Sequence, residues 1–285
     1  MQDFDTQSGS QVSVDHDYRT PGQTLSSSDV QVAQTPDKIL LVNWKPAYTW
    51  SDAAGGNATV NSQIDAMANS IKALGSTKVL LTIFHEPEND VSGGAPNCPS
   101  TIYKGSAGTP ADYRAMWSNV EARFAALGVT NVVWVMNYMG YTGWDCMIDD
   151  LWPGNSLVDW VLWDPYESDN EDFSQSVGNF YSELTTLSDS DHDYLSKPWG
   201  LGEFGDRSVS DANQENFYTT VAHSLDVNQF PKLKLLTLYD AIGSTGDYRV
   251  AYDEAGNWDN AEVADLEALS NDPSIVAGRS SVAGG

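Results

Sequence analysis

Three features of the sequence predict a parallel α/β barrel of the (β/α)8 type. Apolar runs of four to seven residues alternate with amphipathic helical patterns along the chain. Two of the runs end abruptly in a glutamate, at Thr82-Ile83-Phe84-His85-Glu86-Pro87-Glu88-Asn89 and at Trp199-Gly200-Leu201-Gly202-Glu203-Phe204-Gly205. The length, 285 residues with 41% hydrophobic, suits one barrel of roughly 250 residues.

Seven strands are predicted. Val12–His16 alternates. Ile39–Trp44, Val79–Phe84, Val132–Asn137, Val158–Trp163, the run into Glu203, and Leu233–Tyr239 follow. Val60, Ile64, Met67, Ile71 and Leu74 form one helical stripe, with Gly75 as its stop. Tyr113, Trp117, Val120, Phe124 and Leu127 form another, with Thr109 as cap, Pro110 in the first turn and Gly128 beyond the end. Phe217 and Val221 mark a further helix, and Val263 and Leu266 the last. A closed barrel needs eight strands, and residues 1–11 are too short and polar to supply a strand with its helix. The expected deficit is therefore the first strand and helix. The expected organisation is a barrel domain over residues 1–275 and a small, polar tail or linker start over 276–285.

The acids number 40 against 14 Lys and Arg, for a formal charge of −26. Such a surface repels nucleic acid and anionic membranes, and it fits a neutral glycan better than an anionic one. It serves solubility, or adaptation to high salt. No apolar run reaches the length of a membrane span, and the N-terminus lacks a signal-peptide pattern. A mature secreted domain has the same look, and an extracellular monomer is the expectation. Cys98 and Cys146 both fall in loops that follow predicted strands, where a disulfide is geometrically possible. Such a bond would imply an oxidising compartment.

Chemistry in a parallel barrel sits at the C-terminal strand ends. Glu86 and Glu203, 117 residues apart, are two carboxylates at two such ends. Hydrolysis of a glycosidic bond needs such a pair, one to protonate the leaving oxygen and one to attack the sugar carbon. Read singly, each segment is equally a polar loop start or a turn. The aromatic inventory points the same way. Trp44, Trp50, Tyr138, Tyr141, Trp144, Trp152, Tyr166 and Tyr239 fall at or just past strand ends, where aromatic faces can stack on sugars. Core packing is the competing reading for each. Trp134, Trp160 and Trp163 lie within strands and are assigned to core or barrel wall. His16, His85, His192 and His223 show no metal-ligand spacing, and neither a phosphate loop nor a Gly-x-Ser-x-Gly elbow occurs. No metal and no cofactor are expected.

Four segments together resemble glycoside hydrolase family 26, a family of β-mannanases within the clan of retaining barrel glycosidases. They are Phe84-His85-Glu86-Pro87-Glu88-Asn89-Asp90; Val133-Trp134-Val135-Met136-Asn137-Tyr138; Trp152-Pro153-Gly154-Asn155 leading to Val158-Asp159-Trp160 and Asp164-Pro165-Tyr166; and Pro198 to Gly205. The resemblance runs in order from about Phe4 to Pro273. It implies that Glu86 is the acid/base, on the fourth strand of a complete barrel, and Glu203 the nucleophile, on the seventh. It also implies that His85 lines the site, that Tyr166 hydrogen-bonds the nucleophile, and that Trp44 is a sugar platform. Asn137, Tyr138 and Tyr239 complete the expected substrate-binding set. Asp247-Tyr248-Arg249 stands where the family more often has Asp-Trp-Arg. The chain departs from the family at its front, where a first strand and helix are missing. The implied activity is endo-acting, retaining hydrolysis of a neutral β-glycan, most commonly β-1,4-mannan. Mixed-linkage β-glucan, β-1,3-xylan and binding without catalysis are the alternatives.

Overall fold

The computed structural model describes residues 9, 12–166, 171–206, 211–243, 246–252, 255 and 257–275. The expected tail at 276–285, and residues 1–8, 10 and 11, lie outside them. Seven parallel strands pair in sequence order: β1 (Val14–Arg19), β2 (Ile39–Trp44), β3 (Val79–Ile83), β4 (Val132–Tyr138), β5 (Trp160–Trp163), β6 (Trp199–Phe204) and β7 (Leu233–Leu238). The first strand begins two residues later than the alternation suggested and runs on through Tyr18. Helices α1 (Ser27–Gln34), α2 (Ala58–Lys72), α3 (Pro110–Ala126), α4 (Ile148–Leu151), α5 (Phe173–Leu187), α6 (Asp211–Asp226) and α7 (Asn260–Ser270) lie between and after the strands. The sheet is a (β/α) barrel short of one strand. Among the described residues no ladder joins β1 to β7.

The helices start where the local chemistry allows. Thr109 accepts from the Asp112 backbone N–H while Asp112 accepts from that of Thr109, a reciprocal cap ahead of Pro110. Ser26 with Asp29, and Asp172 with Gln175, cap α1 and α5 in the same way. The stripe Val60, Ile64, Met67 and Ile71 of α2 is buried, as is Tyr113, Trp117, Val120 and Phe124 of α3.

Strand alternation sorts side chains into two cores. Leu40, Val42, Val79, Leu81, Met136, Val161, Trp163, Trp199 and Leu201 face the helices. Leu41, Leu80, Val135, Leu162 and Leu235 fill the barrel interior, with Val14, Ile39, Val133 and Trp160 packed against them. One step further toward the C-terminal ends, the inward positions turn polar: Asn43, Thr82, Asn137 and Asp164, all buried. That polar layer is the floor of the site.

The gap between β1 and β7 is pinched. Their Cα atoms come within 8 Å at the nearest, less than the roughly 9.6 Å that one intervening strand would span. A cavity of about 910 Å³ follows the seam, lined by Val14, His16, Leu235 and Thr237 and by Leu266 and Leu269 of α7. Glu203 lines it too.

Cys98 and Cys146 are bonded, with Cα atoms 5.5 Å apart. The bond ties the loop after β3 to the loop after β4.

Candidate active site

Simple alternation fails at Glu203 and at Phe84, two residues before Glu86, and the failures build the site. Along β6, Leu201 faces the helices and Gly202 faces inward. Glu203 should then point out, but the β6–β7 ladder shifts register between Leu201 and Phe204. The irregularity re-aims the chain, so Phe204 returns to the outer core and Glu203 turns into the cleft. Gly202 is obligatory, because an added Cβ would lie 2.1 Å from Asn137 Oδ1 and 2.6 Å from Asp164 Oδ1. At the end of β3, Phe84 (φ 62°) and Glu86 (φ 49°) are both left-handed. Non-glycine residues in that region cost roughly 1–3 kcal/mol each and persist where the surroundings hold them. Here the Phe84 N–H donates to Trp44 O (2.8 Å) and the Glu86 N–H to Asn137 O (2.9 Å). The Phe84 ring packs edge-on to Trp50.

A hydrogen-bond relay joins the two glutamates across four strand ends. Glu86 is held by the Asn137 carbonyl. The Asn137 side-chain N–H donates to Asp164 Oδ1 (2.8 Å), and the same oxygen accepts from the Glu203 backbone N–H (2.9 Å). Asp164 is fully buried, and desolvation, then the charges of Glu203 and Glu86, push it well above the usual carboxylate range.

Glu86 is pushed up to about 7, first by burial and then by the charge of Glu203; a hydrogen bond from Asn89 and the charge of Lys45 partly offset this. Asn89 donates to Glu86 Oε2 at 2.9 Å. Glu88, two residues on, is buried and accepts from the Met139 N–H (3.0 and 3.2 Å), and burial raises it to about 8. Glu203, 8% exposed, accepts from the Tyr18 hydroxyl at Oε1 and from the Tyr166 hydroxyl at Oε2. His85 Nε2 lies 3.9 Å from Glu203 Oε1, beyond hydrogen-bond reach. Burial, Lys45 and His16 lower His85 to about 3, so its imidazole is neutral. His85, Asp164 and Glu203 lie close enough to hold a cation, but two of them already serve the relay.

The structure brings Glu86, Glu203, His85, Tyr166 and Asn137 together. Asn137 is fully buried, so it supports the pair from below and does not reach a sugar. Tyr239 stands beside Tyr166, ring centroids 5.7 Å apart, half-buried at the cleft. Trp44 and Tyr138 are corrections. Trp44 is 1% exposed and faces α3, against Phe124. Tyr138 is fully buried, packs on Phe180 and donates to Ile148 O. Each follows an inward polar residue, Asn43 or Asn137, so alternation sends it outward. Trp50 and Trp152 are core as well, whereas Tyr141 is exposed and Trp144, Tyr166 and Tyr239 are half-buried. Sequence reading missed Tyr18, Lys45, Asn89 and the part of Asp164. A polar residue at an inward position of an apolar strand end was the available signal for Asp164. Tyr18 lay beyond the predicted end of its strand.

No family model matches the chain. Over 207 residues it is 25% identical to endoglucanase H of Acetivibrio thermocellus, a match covering 66% of this chain and 20% of that protein. The chain thus spans about a fifth of that relative's length. Among solved structures, a family-26 β-mannanase from Bacteroides ovatus, BoMan26A, superposes with a TM-score of 0.66 and 18% identity, over 95% of this chain and 83% of that one. The family-26 domain of a Prevotella bryantii endo-β-mannanase/endo-β-glucanase gives 0.60 and 16%, over 96% and 84%. The catalytic domain of a family-26 endo-β-1,4-mannanase from Bacillus sp. JAMB-750 gives 0.59 and 14%, over 95% and 88%. The chain has the fold of the family-26 glycoside hydrolases, and its structural neighbours are enzymes of that class.

Proposed function

We propose that the chain is a family-26 glycoside hydrolase that cleaves a neutral β-linked polysaccharide internally and with retention, β-1,4-mannan first among candidates. One observation carries the reading. Two carboxyl groups at the ends of β3 and β6 are joined through one relay, and their surroundings differ. Glu86 is held neutral to about pH 7, while both oxygens of Glu203 accept phenolic hydrogen bonds. Paired carboxyls in contrasting environments are what an acid and a nucleophile require.

In the first step Glu86 gives its proton to the glycosidic oxygen as that bond breaks. A Glu203 oxygen bonds the anomeric carbon, and Tyr166 stays on the other oxygen. Glu203 thereby loses its charge, which removes one of the two main causes of the raised Glu86 pKa. Glu86, now the carboxylate, takes a proton from water as the water attacks and Glu203 leaves. The pair is expected at about 5–5.5 Å, the retaining separation. The disulfide favours an oxidising, extracellular setting, and a monomer suffices for this chemistry.

Mixed-linkage β-glucan is the second reading, favoured by the relative described as an endoglucanase. Reducing sugar released from galactomannan, lichenan and β-1,3-xylan ranks the substrates. Release from none of them, with binding retained, would make this a glycan-binding protein. Azide tests the roles. It should rescue Glu203→Ala on an activated aryl β-glycoside with an α-glycosyl azide product, and Glu86→Ala with the β-azide. The reverse pattern would swap the two residues.

A further inference from the structure

We propose that Tyr18, on the edge strand β1, is a second positioning residue for Glu203, holding Oε1 as Tyr166 holds Oε2. The inference rests on the reading of Glu203 as nucleophile. It starts from what a buried carboxylate needs. Glu203 is 8% exposed, and an unpaired charge there costs several kcal/mol. Among the described residues no Lys or Arg forms an ion pair with it, and His85, the nearest cationic candidate, is neutral. Its compensation comes from donors: the Tyr18 hydroxyl on one oxygen and the Tyr166 hydroxyl on the other.

Tyr18 is built for that contact and is not needed to fill the fold. Its residue is 41% exposed, so it contributes little to either core. The ring is set by His16, stacked at 4.6 Å, and by His85, edge-on at 5.5 Å. Its backbone is fixed on one side only, in register with Asn43 of β2. Burial and the Glu203 charge keep the phenol protonated, raising it far above its ordinary value. A phenol that cannot ionise beside a carboxylate is a permanent donor. Two donors, one per oxygen, fix the carboxylate plane and favour its charged form. They also ease departure of Glu203 from the glycosyl-enzyme, since the leaving carboxylate is stabilised as its charge returns.

Tyr18→Phe is the test, because it keeps the ring between His16 and His85. With glutamate ¹³C-labelled at the side-chain carboxyl, and the Glu203 resonance assigned by its loss in Glu203→Gln, that resonance should change its chemical shift in Tyr18→Phe as Oε1 loses its donor. In kinetics, kcat should fall about tenfold with KM within about twofold, the pattern for an interaction that matters at the transition state. Tyr166→Phe and the double variant should be non-additive, as both act through one carboxylate. An unchanged Glu203 resonance in a folded Tyr18→Phe protein would overturn the proposal. So would a loss confined to KM, which would make Tyr18 a sugar contact. The resonance needs no substrate, so inactivity on every glycan would sink the catalytic reading and leave the Tyr18–Glu203 contact separately decided.

Discussion

At the scale of single residues, Glu86 and Gly202 carry the sharpest consequences. The folded pKa of Glu86, about 7, lies above its ordinary value of 4.5. Between those values the folded protein keeps a proton that the unfolded chain has lost, so this group's contribution to stability falls as pH rises from about 4.5 to 7 and levels off beyond. As the acid, Glu86 must hold its proton, so the basic limb of kcat/KM should fall near pH 7. Asn89→Ala removes the donor that partly offsets the upward push. That variant should move the basic limb to higher pH, measured on the same substrate; a downward move would mean that Glu86 does not set the limb. Gly202→Ala would drive a methyl group into Asn137 and Asp164. It should cost about 1–3 kcal/mol in denaturant unfolding. It should also lower kcat more than KM, because the relay that seats Glu203 is displaced.

The elements divide into those that hold the molecule and those that aim the pair. Strands β3, β4 and β5 are the rigid centre, and the relay from Glu86 through Asn137 and Asp164 to Glu203 runs over their ends. The loops after β3 and β4 are pinned to each other by Cys98–Cys146. Replacing both cysteines by serine should lower stability by about 2–4 kcal/mol, read as a fall in Tm matched by adding reductant to the parent protein. Helix α3 depends on its cap. Thr109→Ala should cost about 1 kcal/mol in the same assay, with kcat unchanged, because the helix packs behind the sheet and away from the cleft.

The whole molecule is a barrel with one seam. Among the described residues strands β1 and β7 each lack a ladder on one side, and the cavity between them reaches Glu203 at its upper end. Amides of β1 should therefore exchange hydrogen faster than those of β3, which is paired on both sides. A strand and helix of family-26 type fused ahead of Met1 should raise Tm if the seam can open to the roughly 9.6 Å that an inserted strand needs. An unchanged Tm with equal exchange at the two strands would show that the pinched seam is stable as it stands.

Much of this was legible in the chain itself. Apolar runs with helical stripes between them determined seven strands, their order and their parallel sense. The abrupt glutamates at two strand ends, with Tyr166 in its motif, named side chains that the structure brings into one cleft. Alternation inside the strands already separated Asn43 from Trp44 and Asn137 from Tyr138, so the two misplaced aromatics were in principle readable. Tertiary structure alone decided the rest. Glu203 faces the cleft because of a register shift against β7, and Phe84 and Glu86 turn because of left-handed backbone held by Trp44 and Asn137. Both are interactions between neighbouring strands, each pair separated in sequence by a helix and its loops. Tyr18 reaches Glu203 across 185 positions, through a curvature of the sheet that no local pattern encodes. Local sequence sets periodicity, and periodicity sets elements. Where the chain breaks its own period, only the partners packed against it determine where a side chain points.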